Sequence, residues 1–157
     1  HKVTFMQPAE ISSALIARFP GSVFEEGAQW PTAEVAAGDW PRLARHLRND
    51  PDWNMDFLFC LTCVDWKTHL TMVYHLRSTR HRHTLVVKSK LDREKPEIET
   101  VSTIWRTAEF HEREVFELFG VNFLQHPDLR LLILPDGWEG KNPLRKDFED
   151  PVNLIKL

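Results

Sequence analysis

Residues 105–120 read W-R-T-A-E-F-H-E-R-E-V-F-E-L-F-G, and the spacing of their apolar side chains predicts an amphipathic helix from about Ser102 to Phe119. Thr100 or Ser102 is placed to cap it, and Gly120 is placed for the left-handed turn that ends many helices. Stepping by alternate fours and threes from Val101 gives Trp105, Ala108, Glu112, Val115 and Phe119, a stripe whose one charged member is Glu112. A carboxylate in a buried seam must find a donor or take up a proton, because an unpaired buried charge is very costly. On the residues alone, Glu112 is either a buried anchor of this seam or part of a solvated helix face, and the solvated face is the plainer of the two. Glu109, Arg113 and Glu117 fall four apart on another face and predict an intrahelical ion-pair ladder, each exposed step contributing ~0.3–0.5 kcal/mol. Arg113 is then a rung of that ladder or a cation turned toward a partner, and Glu114 lies off the apolar stripe. The plain alternative for Glu112-Arg113-Glu114 is a solvated, salt-laced helix face.

Downstream, H-P-D-L-R (126–130) and P-L-R-K-D-F (143–148) are two proline-bearing loops that carry Arg130 and Arg145. Pro127 biases His126 toward an extended turn conformation, with loop bonding as its expected role. From Leu134 to Leu157, prolines at 135, 143 and 151 and glycines at 137 and 140 discourage regular structure. Trp138, Leu144, Phe148 and Leu154 punctuate this tail like anchors in an extended arm, and a partner surface is the simplest way to cover them. Arg145 and Lys146 beside Asp147 add directional charge suited to a carboxylate-bearing partner. The expected organisation is an α+β core over 1–134 and a partner-binding arm over 135–157. None of these groups is arranged like a nucleophile, a metal cage or a phosphate cradle; together they predict a docking surface.

Upstream, Pro8 to Phe19 has helical spacing and stops at Pro20-Gly21. Short β-like stretches follow at Ser22–Glu26 and Thr32–Ala37. Asp39 can cap a second helix with Pro41 in its first turn, and Asn49-Asp50-Pro51 ends it. Phe57–Val64 is almost continuously apolar, which predicts a central strand. Leu70–Leu76 and Thr84–Leu91 alternate as half-buried strands do. The short loops between these three make an antiparallel meander the natural connection, and a charged, proline-bearing link (Asp92–Glu99) leads back to the helix. The order α-β-β-α-β-β-β-α implies a two-layer α+β domain with a mixed or antiparallel sheet and an extended C-terminal arm.

The chain of 157 residues has a net charge of −3, which argues against a nucleic-acid partner because that calls for a basic face. No apolar run approaches the ~18 residues that cross a bilayer, and the N-terminus lacks the layout of a secretory signal. With 2 Cys there is no disulfide framework, so a reducing, cytoplasmic setting is expected. Cys60-Leu-Thr-Cys63 is a C-x-x-C, but it lies in an apolar β-like run rather than at the helix start that activates a thioredoxin-type thiol. No second such pair exists to complete a zinc or iron–sulfur site. His81 and His83 share a strand edge without a third ligand nearby, and His111 next to Glu112 points about 100° away from it. Neither G-x-G-x-x-G after a strand nor G-x-x-x-x-G-K-[ST] occurs, so nucleotide sites have no sequence support.

H-E-R-E-V-F-E-L-F-G (111–120), H-P-D-L-R (126–130) and P-L-R-K-D-F (143–148), with a looser stretch at W-K-T-H-L-T-M-V-Y-H-L (66–76), resemble the C subunit of the proton-pumping NADH:quinone oxidoreductase, respiratory complex I, and its hydrogenase relatives. Glu117 stands where that family usually has Asp, and Leu131 where a second Arg commonly follows Arg130. The resemblance favours Glu112 as a buried structural anchor and Arg113 as a partner-facing or ladder cation. The resemblance implies a cofactor-free subunit of the peripheral arm, on the cytoplasmic face of the inner membrane and touching it only through partners. It implies packing against the large quinone-site subunit, near the cluster-bearing B and I subunits, in a complex using NADH, FMN, iron–sulfur clusters and quinone. The alternatives are the equivalent subunit of an energy-converting [NiFe] hydrogenase and, in a different class, a thiol oxidoreductase built on Cys60 and Cys63.

Overall fold

Pro8 opens α1 (Pro8–Arg18), where a missing N–H costs nothing and the fixed φ favours the helix. Short strands β1 (Val23–Phe24) and β2 (Thr32–Glu34) lead to α2 (Trp40–Asn49). Asp39 precedes α2, yet its carboxylate makes no cap bond and reaches Arg42 at 3.6 Å instead. Three long strands follow, β3 (Phe57–Asp65), β4 (His69–Arg77) and β5 (Thr84–Asp92). Then come β6 (Glu97–Glu99), α3 (Ala108–Phe119) and β7 (Asn122–Leu124). The structure is a computed structural model that describes residues 2–150; Pro151 and Leu154 of the expected arm lie outside the described residues.

The main sheet has the order β1-β2-β5-β4-β3. The meander β3-β4-β5 is antiparallel as expected, and β2 joins β5 in parallel, which makes the sheet mixed. The registers place Leu61, Tyr74 and Val87 in one row, and the next core row along the meander is Cys63, Met72 and Ser89. The apolar members of these rows bury against Ile11 and Leu15 of α1 and Trp40, Leu43, Ala44 and Leu47 of α2. Val73, His75, Val86, Lys88 and Lys90 occupy the other face, as the period-2 alternation requires. The fold is the α+β layer expected from the sequence.

Three elements differ from expectation. β3 is an edge strand rather than a central one. Its apolar run is covered by α3, which packs against it, and by Trp105 and Thr107, whose Nε1 and Oγ1 donate to the Met55 and Leu58 carbonyls at 2.8 and 3.4 Å. Covering an apolar edge in this way suppresses pairing with foreign strands. Second, α3 begins at Ala108, not Ser102. Residues 101–107 are turns, with Ile104 and Trp105 N–H groups bonding the Val101 carbonyl. Third, the charged link over 92–99 contains β6, which pairs in parallel with β7: Ile98 lies opposite Phe123. The apolar stripe survives the later helix start, because the turns keep Val101 and Trp105 in phase with buried Ala108, Glu112 and Val115.

Candidate interaction surface

α3 is the organising element, and its charged side chains tie down three other segments. Glu112 is fully buried. Its Oε1 accepts the Val101 N–H at 2.8 Å and its Oε2 accepts the Thr100 hydroxyl. Thr100 is thus spent on Glu112 rather than on capping. Burial pushes the Glu112 carboxyl up to about 7, against the lowering effect of its two donors. His126 Nε2 stands 3.8 Å from Glu112 Oε2, beyond hydrogen-bond reach. Both His126 nitrogens have backbone partners: Nε2 donates to the Glu109 carbonyl at 2.9 Å, and Nδ1 accepts the Asp128 N–H at 3.0 Å. These two bonds lock loop 126–128 onto the helix, in keeping with the loop bonding read from Pro127.

Arg113 and Glu117 do not form the expected ladder. Both are buried, and both spend their charge on the backbone of the returning chain. Arg113 Nε and Nη2 donate to the carbonyls of Arg130 and Leu131 at 3.1 and 2.7 Å. Glu117 accepts the N–H groups of Leu132, Ile133 and Leu134 at 2.7 to 3.2 Å. Five consecutive residues are therefore held by main chain alone, with charge-assisted bonds of the stronger kind. Their side chains are left outside the clamp: Ile133 is 71% exposed and Leu132 is exposed too. Phe110 is also exposed, 6.0 Å from the Arg113 guanidinium. Glu114 is solvent-facing, and Arg130 turns back on Asp128 at 2.9 Å, an exposed pair.

The segment after Pro135 touches its own chain more than its composition suggests. Leu144 N–H donates to the Leu118 carbonyl at 3.0 Å and Arg145 Nε to that of Phe119 at 2.6 Å, satisfying the end of α3. Arg145 therefore caps the end of α3. Lys146 N–H donates to Asp65 Oδ2 at 2.8 Å, and Arg93 bridges Asp65 and Asp147 at 2.9 and 3.1 Å. Burial raises the Asp65 carboxyl, but the Lys146 and Lys67 N–H groups and the Arg93 and Arg145 cations outweigh it and hold the group below the usual carboxylate range. Gly120, with φ 79°, leaves room that a Cβ would take from the Asn142 side chain, 2.6 Å away. Trp138 packs on Phe148 at 6.3 Å and carries Lys141 over its ring at 4.8 Å, while the Leu144 side chain stays exposed. Asp65, Arg93 and Asn142 are the residues that sequence reasoning did not place. Asp65 carried a faint signal as the lone charge closing an apolar strand.

The thiols and imidazoles are structural. Cys63 is buried, and burial together with the nearby Asp65 charge pushes its thiol up to about 12. A thiolate is disfavoured at Cys63, and Cys63 pairs with Met72 in the core row while Cys60 pairs with His75 on the other face, so the two thiols do not face each other as the dithiol that the thiol oxidoreductase alternative needs. His81 accepts the Thr4 N–H and contacts the Pro51 carbonyl; His83 contacts that of Trp53. Among the described residues, no three His, Cys, Asp or Glu side chains gather as a metal site, and no helix is long and apolar enough to cross a membrane.

Comparison with known proteins places this architecture. Residues 33–152 match the family described as the respiratory-chain NADH dehydrogenase 30 Kd subunit. The C/D subunit of the NADH-quinone oxidoreductase of Phocaeicola vulgatus is 47% identical over 66% of this chain, which spans 20% of that longer protein. The C subunit of the F(420)H(2) dehydrogenase of Methanosarcina mazei is 35% identical over 92% of this chain and 93% of its own length. Among solved structures, a trypsin-resistant fragment of Nqo5 superposes with a TM-score of 0.67 at 26% identity, covering 78% of this chain and all of that fragment. A chain of the archaeal membrane-bound sulfane sulfur reductase superposes with a TM-score of 0.77 at 27% identity, covering 92% and 86% of the two chains. The match over 33–152 and the near full-length likeness to the Methanosarcina protein show that this chain belongs to the family of the 30 Kd subunit of respiratory-chain NADH dehydrogenase.

Proposed function

We propose that this chain is the C subunit of an NADH:quinone oxidoreductase-type complex and serves there as an architectural part. It packs on the large quinone-site subunit, near the cluster-bearing B and I subunits. The observation that carries this reading is the clamp of Arg113 and Glu117, which holds residues 130–134 by their backbone and turns Leu132 and Ile133 outward. A monomer gains nothing from fixing apolar side chains in water, whereas an interface gains a preorganised contact. The Phocaeicola relative, whose name joins a C part and a D part in one chain, supports the quinone-site subunit as the neighbour. In this reading NADH, FMN, iron–sulfur clusters and quinone are handled by other subunits, and this chain meets the membrane at its cytoplasmic face only through them.

The likeness to an F(420)H(2) dehydrogenase component over nearly its whole length favours one variant of the reading. Relatives are named for an NADH-quinone oxidoreductase and for an F(420)H(2) dehydrogenase, so in this reading the donor is set by other subunits, and an energy-converting hydrogenase remains the alternative assembly. The test is co-purification from cells that carry a tag on this chain. Wild type should bring the quinone-site subunit with it; Ile133→Asp should lose most of that subunit while its own melting temperature moves by less than about 2 °C, as expected for a surface change. Full recovery of the quinone-site subunit with Ile133→Asp would place the contact elsewhere.

A further inference from the structure

α2 reads W-P-R-L-A-R-H-L-R-N, and burying Trp40, Leu43, Ala44 and Leu47 turns Arg42, Arg45, His46 and Asn49 outward as one stripe. The helix holds three arginines and no acid, within a chain whose net charge is −3. Facing the stripe is the end of α1 with Arg18 and Phe19, and between them lies an open cleft of about 630 Å³. Phe19 is its apolar wall: the Arg42 guanidinium sits 5.3 Å from the ring centroid and the His46 ring 5.9 Å away. This positive charge is poorly neutralised. Arg42 meets Asp39 at 3.6 Å and Arg45 meets Glu99 at 3.3 Å, both exposed contacts of the weak kind. Arg18 forms no ion pair within 4.0 Å among the described residues, Arg48 lies outside the cleft and acts on Asp56, and Asp50 on the rim is engaged by the Asp52 N–H.

We propose that this arginine cleft is a second docking site, which takes an acidic segment of a neighbouring protein. Arg42 and Arg45 stand one turn apart, about 4.5 Å along the axis, so their planar forks match carboxylates on successive turns of a helix or on alternate residues of an extended strand. A membrane surface is disfavoured, because anionic headgroups repel an acidic chain as a whole while a protein segment pairs within one Debye length. The proposal rests on the reading that the chain works among protein subunits, and it concerns residues outside the α3 surface.

The test uses the assembled complex with Arg42→Lys and Arg45→Lys introduced together in the tagged chain. These changes keep the charge and add amines that a carbodiimide can couple directly to a touching carboxylate. The expected result is an amide cross-link from position 42 or 45 to an Asp or Glu of another subunit. It should exceed by at least tenfold the yield from Arg80→Lys, an exposed control in the β4–β5 turn, and should fall at about 1 M salt, where screening reaches ~3 Å. A complex that assembles at full yield without such a link overturns the cleft as a protein site and leaves the subunit reading standing. Binding to acidic phospholipid vesicles that Arg42→Glu abolishes would overturn it in favour of a membrane. Failure of the wild-type chain to co-purify with any other protein of the complex would remove both readings together.

Discussion

Glu112 is the residue on which the α3 surface hangs, because it is ionisable, buried and bonded to the segment that precedes the helix. Glu112→Ala leaves the buried Val101 N–H without its acceptor and leaves the Thr100 hydroxyl with Ser102 Oγ alone, at a cost of about 1–3 kcal/mol. Glu114→Ala touches nothing buried and should stay within about 0.5 kcal/mol. Chemical denaturation of the two variants checks the difference; equal midpoints would contradict the placement. The carboxyl also sets a pH dependence. Its usual value is 4.5 and burial raises it to about 7 in the folded chain. Below 4.5 both states hold the proton, so Glu112 gives no slope there. Between 4.5 and about 7 only the folded state holds it, so stability falls as pH rises through that window, at most ~1.4 kcal/mol per pH unit, and levels off above. The groups around it are the His126 imidazole, the Tyr74 phenol and Glu109, whose charge adds to the raising effect. Glu112→Gln removes the titration, so the difference between wild-type and variant stability should carry the slope and be flat above pH 7. The burial of Glu112 was legible in the sequence, since it interrupts an apolar stripe. Its donors were not, because Thr100 also fits the pattern of a cap and only the fold chooses between the two roles.

At the level of elements, the end of α3 and the arm depend on one glycine. Gly120 adopts the left-handed conformation that closes the helix, and a Cβ there would meet Asn142 Nδ2 at 2.6 Å. Gly120→Ala should therefore cost about 1–2 kcal/mol for the backbone alone and also push residues 142–146 off the helix end. Limited trypsin digestion checks the second effect: the variant should be cut after Arg145 or Lys146 several times faster than wild type. Unchanged cleavage would show that the Asn142 side chain yields without moving the arm. The glycine itself was readable as a helix stop, but its contact with a residue 22 positions away was not. The same division runs through the other elements. The three long strands announced themselves by alternation or by length. The position of β3 did not, because a continuous apolar run is equally consistent with strands on both sides or with a helix over an edge. β6 and β7 have three residues each, too few for any period, and exist because each bonds the other. The ladder over Glu109, Arg113 and Glu117 had the right spacing, yet the returning chain offered both carbonyls and N–H groups at shorter range.

For the whole molecule, the question is whether the arm belongs to the fold or to the assembly. The buried hydrophobic cluster runs from Met6 to Phe123, and Leu129 is the last residue packed against it, so a chain ending at Leu134 loses none of it. The Glu117 clamp is also kept, because its last donor is Leu134 N–H itself. What goes is the set of bonds from Leu144, Arg145 and Lys146, two of them part-buried, and the Arg93–Asp147 pair. At about 0.5–1.5 kcal/mol each, three hydrogen bonds lower stability by roughly 2–4 kcal/mol, or about 5–15 °C in a domain of this size. We therefore expect the truncated chain to keep its circular dichroism and a cooperative, lowered melt, while recovering much less of the quinone-site subunit. The two contributions to docking then separate cleanly. Ile133→Asp in the full chain leaves the arm in place and removes an outward apolar contact, whereas the truncation leaves Ile133 held by the clamp and removes Trp138, the Leu144 side chain and Phe148. If truncation alone abolishes that recovery, the arm carries the interface. If Ile133→Asp alone does so, the clamped loop carries it and the arm serves to finish α3. An unfolded truncated chain would instead make residues 135–150 part of the core, despite their few buried side chains.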